Sequence, residues 1–238
     1  MSRIRLIVLS LATVLAVSAL ATASASAETF GGVQCQQRPD GHGHWKDSKC
    51  TEPGSNFEYE TQEITNATVE GEGATAILKS EIGTTKIYID CQKTKATGTI
   101  EKDGKTTATI EDEECKLYEE STGKQVSNCT VPTITAKVVG VLEGSKGAVE
   151  DKLTPAEGEK FAQVKIEGAT CVLKGTFEVK GSQKCKLPDA ETFLEGHELK
   201  CEESGSSLKF GTKEATYRGR CIIILIILHD RWIIIVIQ

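Results

Sequence analysis

Nine cysteines, Cys35, Cys50, Cys91, Cys115, Cys129, Cys171, Cys185, Cys201 and Cys221, follow an amino-terminal stretch built for export, and this combination limits the fold more than any other feature of the chain. The stretch MSRIRLIVLSLATVLAVSALATASASA sets Arg3 and Arg5 ahead of an apolar run from Leu6 to Leu20 and closes on the small residues Ala25-Ser26-Ala27. Charge, apolar core and A-x-A site, in that order, predict a signal-peptide helix over 1–27, cleaved after Ala27 and leaving a secreted, extracellular chain. A transmembrane anchor is the competing reading, disfavoured because the run is short against the about 20 residues of a span. An exported chain keeps its thiols oxidised, so the cysteines read as disulfides with one thiol left over. Eight paired cysteines allow roughly a hundred connectivities, so spacing guides the pairing without fixing it.

The rest of the chain reads as short strands and turns. Thr97–Glu101 and Thr106–Ile110 alternate in character around Lys102-Asp103-Gly104-Lys105, where Asp-Gly suits a two-residue type I′ hairpin turn. Lys86–Asp90 and Thr133–Leu142 read as further strands, and Phe161–Lys180 as a strand pair joined through Gly168–Cys171. Ser206–Phe210 and Ala215–Arg220 add two short ones, and no helical apolar period persists after residue 27. The pattern predicts an all-β antiparallel sandwich or barrel-like domain with long disulfide-pinned loops. Its expected divisions are a loop and linker over 28–73, the β-domain over 74–220 and an apolar end over 221–238.

Aromatic residues make up 5% of the chain, which means a modest core, so cross-links of about 2 to 4 kcal/mol each carry much of the stability. Local spacing points to Cys35 with Cys50, to Cys115 with Cys129 around the polar excursion KLYEESTGKQVSN, and to Cys185 with Cys201. A weak internal repeat sets Ile89-Asp90-Cys91 and Gly98-Thr99-Ile100 beside Ile166, Cys171 and Gly175-Thr176-Phe177, which points to Cys91 with Cys171 and leaves Cys221 unpaired. Coincidence among β-rich segments accounts for that repeat equally well.

Chemistry-bearing motifs are sparse, and no catalytic, cofactor-binding or metal-ligating residue is assigned. His42 and His44 in a Gly-rich loop lack a third metal ligand. Glu195-Gly196-His197-Glu198 lacks the second His of a zincin, and Gly144-Ser145-Lys146-Gly147 lacks the first Gly of a nucleophile elbow. The run Glu111-Asp112-Glu113-Glu114 reads as a solvated acidic loop, with Ca²⁺ binding as the sharper alternative. The formal net charge is −6, and loss of Arg3 and Arg5 with the leader takes it to about −8, which argues against a nucleic-acid partner.

The end of the chain, CIIILIILHDRWIIIVIQ, carries twelve Ile, Leu or Val residues around a central Asp230-Arg231. Insertion of the apolar residues into a bilayer, at about 4 to 7 kcal/mol, and the opposing charges, at about 5 to 7 kcal/mol, nearly cancel. The stretch therefore reads as a hairpin of buried or partner-facing strands turning at His229-Asp230-Arg231, with membrane association through 222–237 and an altered end as the competing readings.

Leu153-Thr154-Pro155 with Gly158, Phe161-Ala162, Ile166-Glu167-Gly168, Cys171, Gly175 and Val179-Lys180-Gly181 resembles a motif of a family of secreted, uncharacterised actinobacterial proteins, as does Gly43-His44-Trp45-Lys46-Asp47-Ser48-Lys49-Cys50-Thr51. These motifs are glycines and cysteines, structural in character, so the resemblance implies a secreted fold and brings no established activity with it; the apolar end departs from it. The leading expectation is a non-enzymatic recognition or cell-envelope domain without cofactor. A carboxylate-dependent polysaccharide hydrolase and an envelope protein held by its tail are the alternatives.

Overall fold

The computed structural model describes residues 30–38, 40–48, 50–63, 66–101, 103–145, 147–188, 196–225 and 232–237; the signal-peptide helix expected over 1–27 lies outside them. Among the described residues there is no helix, and the all-β expectation holds. In chain order the strands are β1 (Phe30–Gln37), β2 (Gly43–Trp45), β3 (Pro53–Phe57), β4 (Tyr59–Glu63), β5 (Asn66–Gly73), β6 (Ala76–Ile82), β7 (Thr85–Glu101), β8 (Lys105–Glu119), β9 (Ile134–Ser145), β10 (Ala148–Pro155), β11 (Lys160–Ile166), β12 (Gly175–Leu187), β13 (Gly196–Phe210), β14 (Lys213–Leu225) and β15 (Trp232–Ile237).

Ten of these form an unbroken antiparallel ring. β7 pairs with β8 and β8 with β9. β9 meets β10 along one part of its length and β11 along another, and both of those pair with β12. β12 pairs with β13 and β13 with β14. β14 then meets β5 and β6, which both return to β7. The domain is therefore barrel-like, with two of its ring positions each shared by two consecutive short strands. Closure leaves the ring without a raw edge, which removes the template for edge-to-edge pairing with another chain.

The core lies inside the ring because side chains alternate along each strand. On β7, Ile87, Ile89 and Cys91 point inward, and on β8 the inward set is Thr106, Ala108, Ile110 and Asp112. Glu114 then adopts a positive φ of 56°, the phase shifts by one residue, and Leu117 is buried instead. Ile89, Leu117, Val164 and Ile166 are fully buried, each worth about 1.5 to 3 kcal/mol relative to exposure. The β7–β8 turn differs from the expected type I′ form. Of its described residues only Gly104 has positive φ, and its N–H donates to the Glu101 carbonyl at 3.1 Å, the arrangement of a turn followed by a glycine bulge.

Four disulfides cross-link the domain: Cys35–Cys50, Cys91–Cys115, Cys129–Cys171 and Cys185–Cys201. The expected Cys91–Cys171 and Cys115–Cys129 pairs are corrected. Cys115 is not the base of a loop but a residue within β8, directly opposite Cys91 on β7. Cys171 lies in the β11–β12 connection, which meets the β8–β9 connection at the Thr130–Glu167 bridge and so brings Cys129 to it. Cys221 is free and buried.

The remaining strands form a second sheet in the order β15-β1-β4-β2-β3. Residues 28–73 thus hold strands rather than only loop and linker, and β5 within them belongs to the barrel. The apolar end is not a hairpin. Ile222–Leu225 extends β14 and pairs with β5, whereas β15 pairs with β1, with Phe30 opposite Ile237 and Cys35 opposite Trp232. The turn residues 229–231 lie outside the described residues. No helix among the described residues is long and apolar enough to cross a membrane.

Candidate binding site in the barrel lumen

Alternation carries a few polar side chains into the barrel along with the apolar ones. Asp112 continues the inward phase of Thr106, Ala108 and Ile110 on β8, and Asp151 stands between Val149 and Leu153 on β10. On β13, His197 shares the inward phase of Leu199 and Cys201. On β14, Tyr217 and Cys221 flank Gly219, whose lack of a side chain makes room for the phenol: a Cβ there would stand 2.8 Å from Tyr217 Oη. These residues and their apolar neighbours line a lumen cavity of about 110 Å³, to which strands on all sides of the ring contribute.

The two acids stand in different surroundings. Asp112 Oδ1 accepts from Thr94 Oγ1 at 2.7 Å, and Tyr217 Oη lies 3.5 Å from Oδ1 and 3.4 Å from Oδ2. Burial lifts the Asp112 carboxyl to about 6, against the hydrogen bonds from Thr94 and Tyr217. The Tyr217 phenol is raised well above its ordinary value, first by burial and then by the Asp112 charge, and the same two causes push the Cys221 thiol up to about 11. This is a self-satisfied cluster.

Asp151 is not satisfied. Its Oδ2 accepts from Thr106 Oγ1 at 3.0 Å, while Oδ1 is buried without a hydrogen-bond partner among the described residues. Burial, and secondarily the charge of Glu143, raise this carboxyl to about 6. Gly140 on β9 leaves the space that the Asp151 and Thr106 side chains occupy. Gln183, also inward, is fully engaged: Nε2 donates to the carbonyls of Lys184 at 2.9 Å and Glu202 at 3.1 Å, and Oε1 accepts from the Ser206 hydroxyl.

Thr106, which holds Asp151, and Asp112 lie six residues apart on one strand, about 20 Å along β8. A glycosidase pair stands about 5 to 10 Å apart. Asp112 and Asp151 therefore do not form the paired carboxylates that the hydrolase alternative needs.

Of the motif residues weighed from the sequence, Asp112 and His197 reach the lumen and the others lie elsewhere. His44 on β2 pairs with Glu60 on β4 rather than with His42. The 111–114 run is no loop: it is mid-strand, with Asp112 inside and Glu113 facing Lys95 at 2.8 Å. His197 sits on a strand, and Gly144 is the penultimate residue of β9, with a φ of +126°. Among the described residues no three His, Cys, Asp or Glu side chains cluster as metal ligands. Asp151 was missed, although its place between Val149 and Leu153 is a readable sign of an inward acid. Comparison with family models, curated proteins and solved structures finds no match, so the family resemblance gains no support from them.

Proposed function

We propose that this chain is a secreted, disulfide-stabilised barrel that acts by non-enzymatic recognition and holds a small, mainly apolar molecule in its lumen. The observation that carries the reading is the cavity of about 110 Å³ among inward apolar side chains. An engineered apolar cavity of roughly 150 Å³ takes benzene, so this lumen suits a ligand of about one ring. The distance between the two buried acids removes that pair as a two-carboxylate catalytic site. The participation of β14 and β15 in sheets speaks against a free membrane tail.

The test is an NMR titration of the oxidised protein with toluene. Saturable shifts confined to lumen residues such as Ala136, Leu142 and Leu153 are expected, and Ala136→Leu, which fills the cavity, abolishes them. Absence of saturable shifts in the folded protein, or shifts unaltered by the filled lumen, defeats the reading. Recovery from the medium of a chain beginning near Glu28 is the accompanying test of secretion.

A further inference from the structure

The polar atom with no partner in the lumen defines what its ligand must bring. Asp151 is 6% exposed, and its Oδ1 has no donor while its Oδ2 holds Thr106. A carboxylate oxygen accepts and does not donate, and a buried one left unmatched is costly, so the complementary group is a donor. An ammonium matches the charge as well as the hydrogen bond, and such charge-assisted bonds are about twice as strong as neutral ones. An anionic ligand would place like charges together. On the cavity wall Leu142 stands opposite Asp151 on β9 and Leu153 lies two residues on along β10, which suits a compact hydrocarbon body.

We propose that the lumen takes a small primary amine with a compact apolar body, its nitrogen donating to Asp151 Oδ1. This rests on the lumen-binding reading and adds the polar half of the ligand to it. Asp112 is not the anchor, because Thr94 and Tyr217 already occupy its oxygens. Around Asp151 the chargeable neighbour is Glu143 on β9; the residue opposite it on β12 is Cys185, held in a disulfide.

Benzylamine and toluene, which share a ring and differ in the amine, are titrated into the full oxidised protein at pH 7.5 with calorimetric and NMR readouts. Benzylamine is expected to bind at least tenfold tighter than toluene. Asp151→Asn removes that advantage and leaves toluene binding in place. Wild-type protein at pH 5, where Asp151 holds a proton, loses the advantage without any substitution, which covers the case of a variant that does not fold. Equal binding of the two compounds to wild type, or an advantage that survives both Asp151→Asn and pH 5, overturns the amine assignment while the lumen reading stands. Failure of both compounds to bind the folded protein overturns both.

Discussion

Gly140 and Asp151 share one volume: a Cβ on Gly140 would stand 2.1 Å from Asp151 Oδ1 and 2.1 Å from Thr106 Oγ1. Alternation turns the acid inward, and Gly140, diagonal to it on β9, leaves the room that it occupies. Gly140→Ala therefore forces the Asp151–Thr106 pair apart in a packed interior. A loss of about 1 to 3 kcal/mol is expected, read as a lowered urea midpoint. An unchanged midpoint would show that the pair has room to move.

The two raised carboxyls make stability fall as pH rises. Each folded acid, at about 6, holds its proton more tightly than an unfolded aspartate near 4. Its contribution is complete below pH 4 and is lost as pH rises through 6, by at most about 3 kcal/mol for each group. The groups facing Asp112 are Thr94, Tyr217 and Cys221, and those facing Asp151 are Thr106 and Glu143. The surface acids held low by ion pairs, exposed Asp40 and half-buried Glu202, both at about 2, act in the opposite sense and below pH 4. Denaturant unfolding at pH 4.5 and 7.5 is expected to show greater stability at the lower pH, with the difference reduced in Asp112→Asn and Asp151→Asn.

Peptide mapping of the unreduced protein is expected to recover Cys91 linked to Cys115 and Cys129 linked to Cys171. The Cys129–Cys171 bridge spans 42 residues and the Cys185–Cys201 bridge spans 16. Loop-closure entropy then assigns about 4 and about 3 kcal/mol to them, so paired Ser substitutions at 129 and 171 cost the more in thermal unfolding.

Much of this framework was legible. Alternation around Asp103-Gly104 located the β7–β8 hairpin, and Cys91 lies nine residues before Ile100 as Cys115 lies nine after Thr106, so extending the hairpin brings the two face to face. Taking the turn as two residues shifts that register by one and hides the pair, because a one-residue slip moves every side chain to the other face. Asp112 was legible as well, in phase with Thr106, Ala108 and Ile110, but four consecutive acids look like a loop when charge is read without alternation. The Cys129–Cys171 bridge and the β1–β15 pairing were not legible. Both join segments far apart in the chain, and only ring closure brings them together.

Cys221 is expected to be chemically silent in the native protein. Burial and the Asp112 charge hold its thiol at about 11, so little thiolate exists at neutral pH. A thiol reagent should label it only in denaturant; rapid labelling of the folded chain would contradict its interior position.

Truncation after Leu225 removes one of the two strand partners of β1, leaving it paired with β4, and leaves every barrel pairing intact. Limited proteolysis should then cut faster within 30–63, with barrel unfolding little changed and release into the medium equal to that of the full chain. Release only upon truncation would support a tail that anchors the protein.

The ring has a seam, where β14 meets β5 and β6, strands made more than a hundred residues earlier. A chain emerging from its amino end carries two open edges until Lys213–Leu225 arrives, so closure is a late event of high contact order. The Cys91–Cys115 hairpin can be locked long before that, whereas the lumen does not exist until the seam zips. Loading of any ligand therefore follows synthesis of nearly the whole chain, and an interrupted chain exposes strand edges rather than a partial pocket.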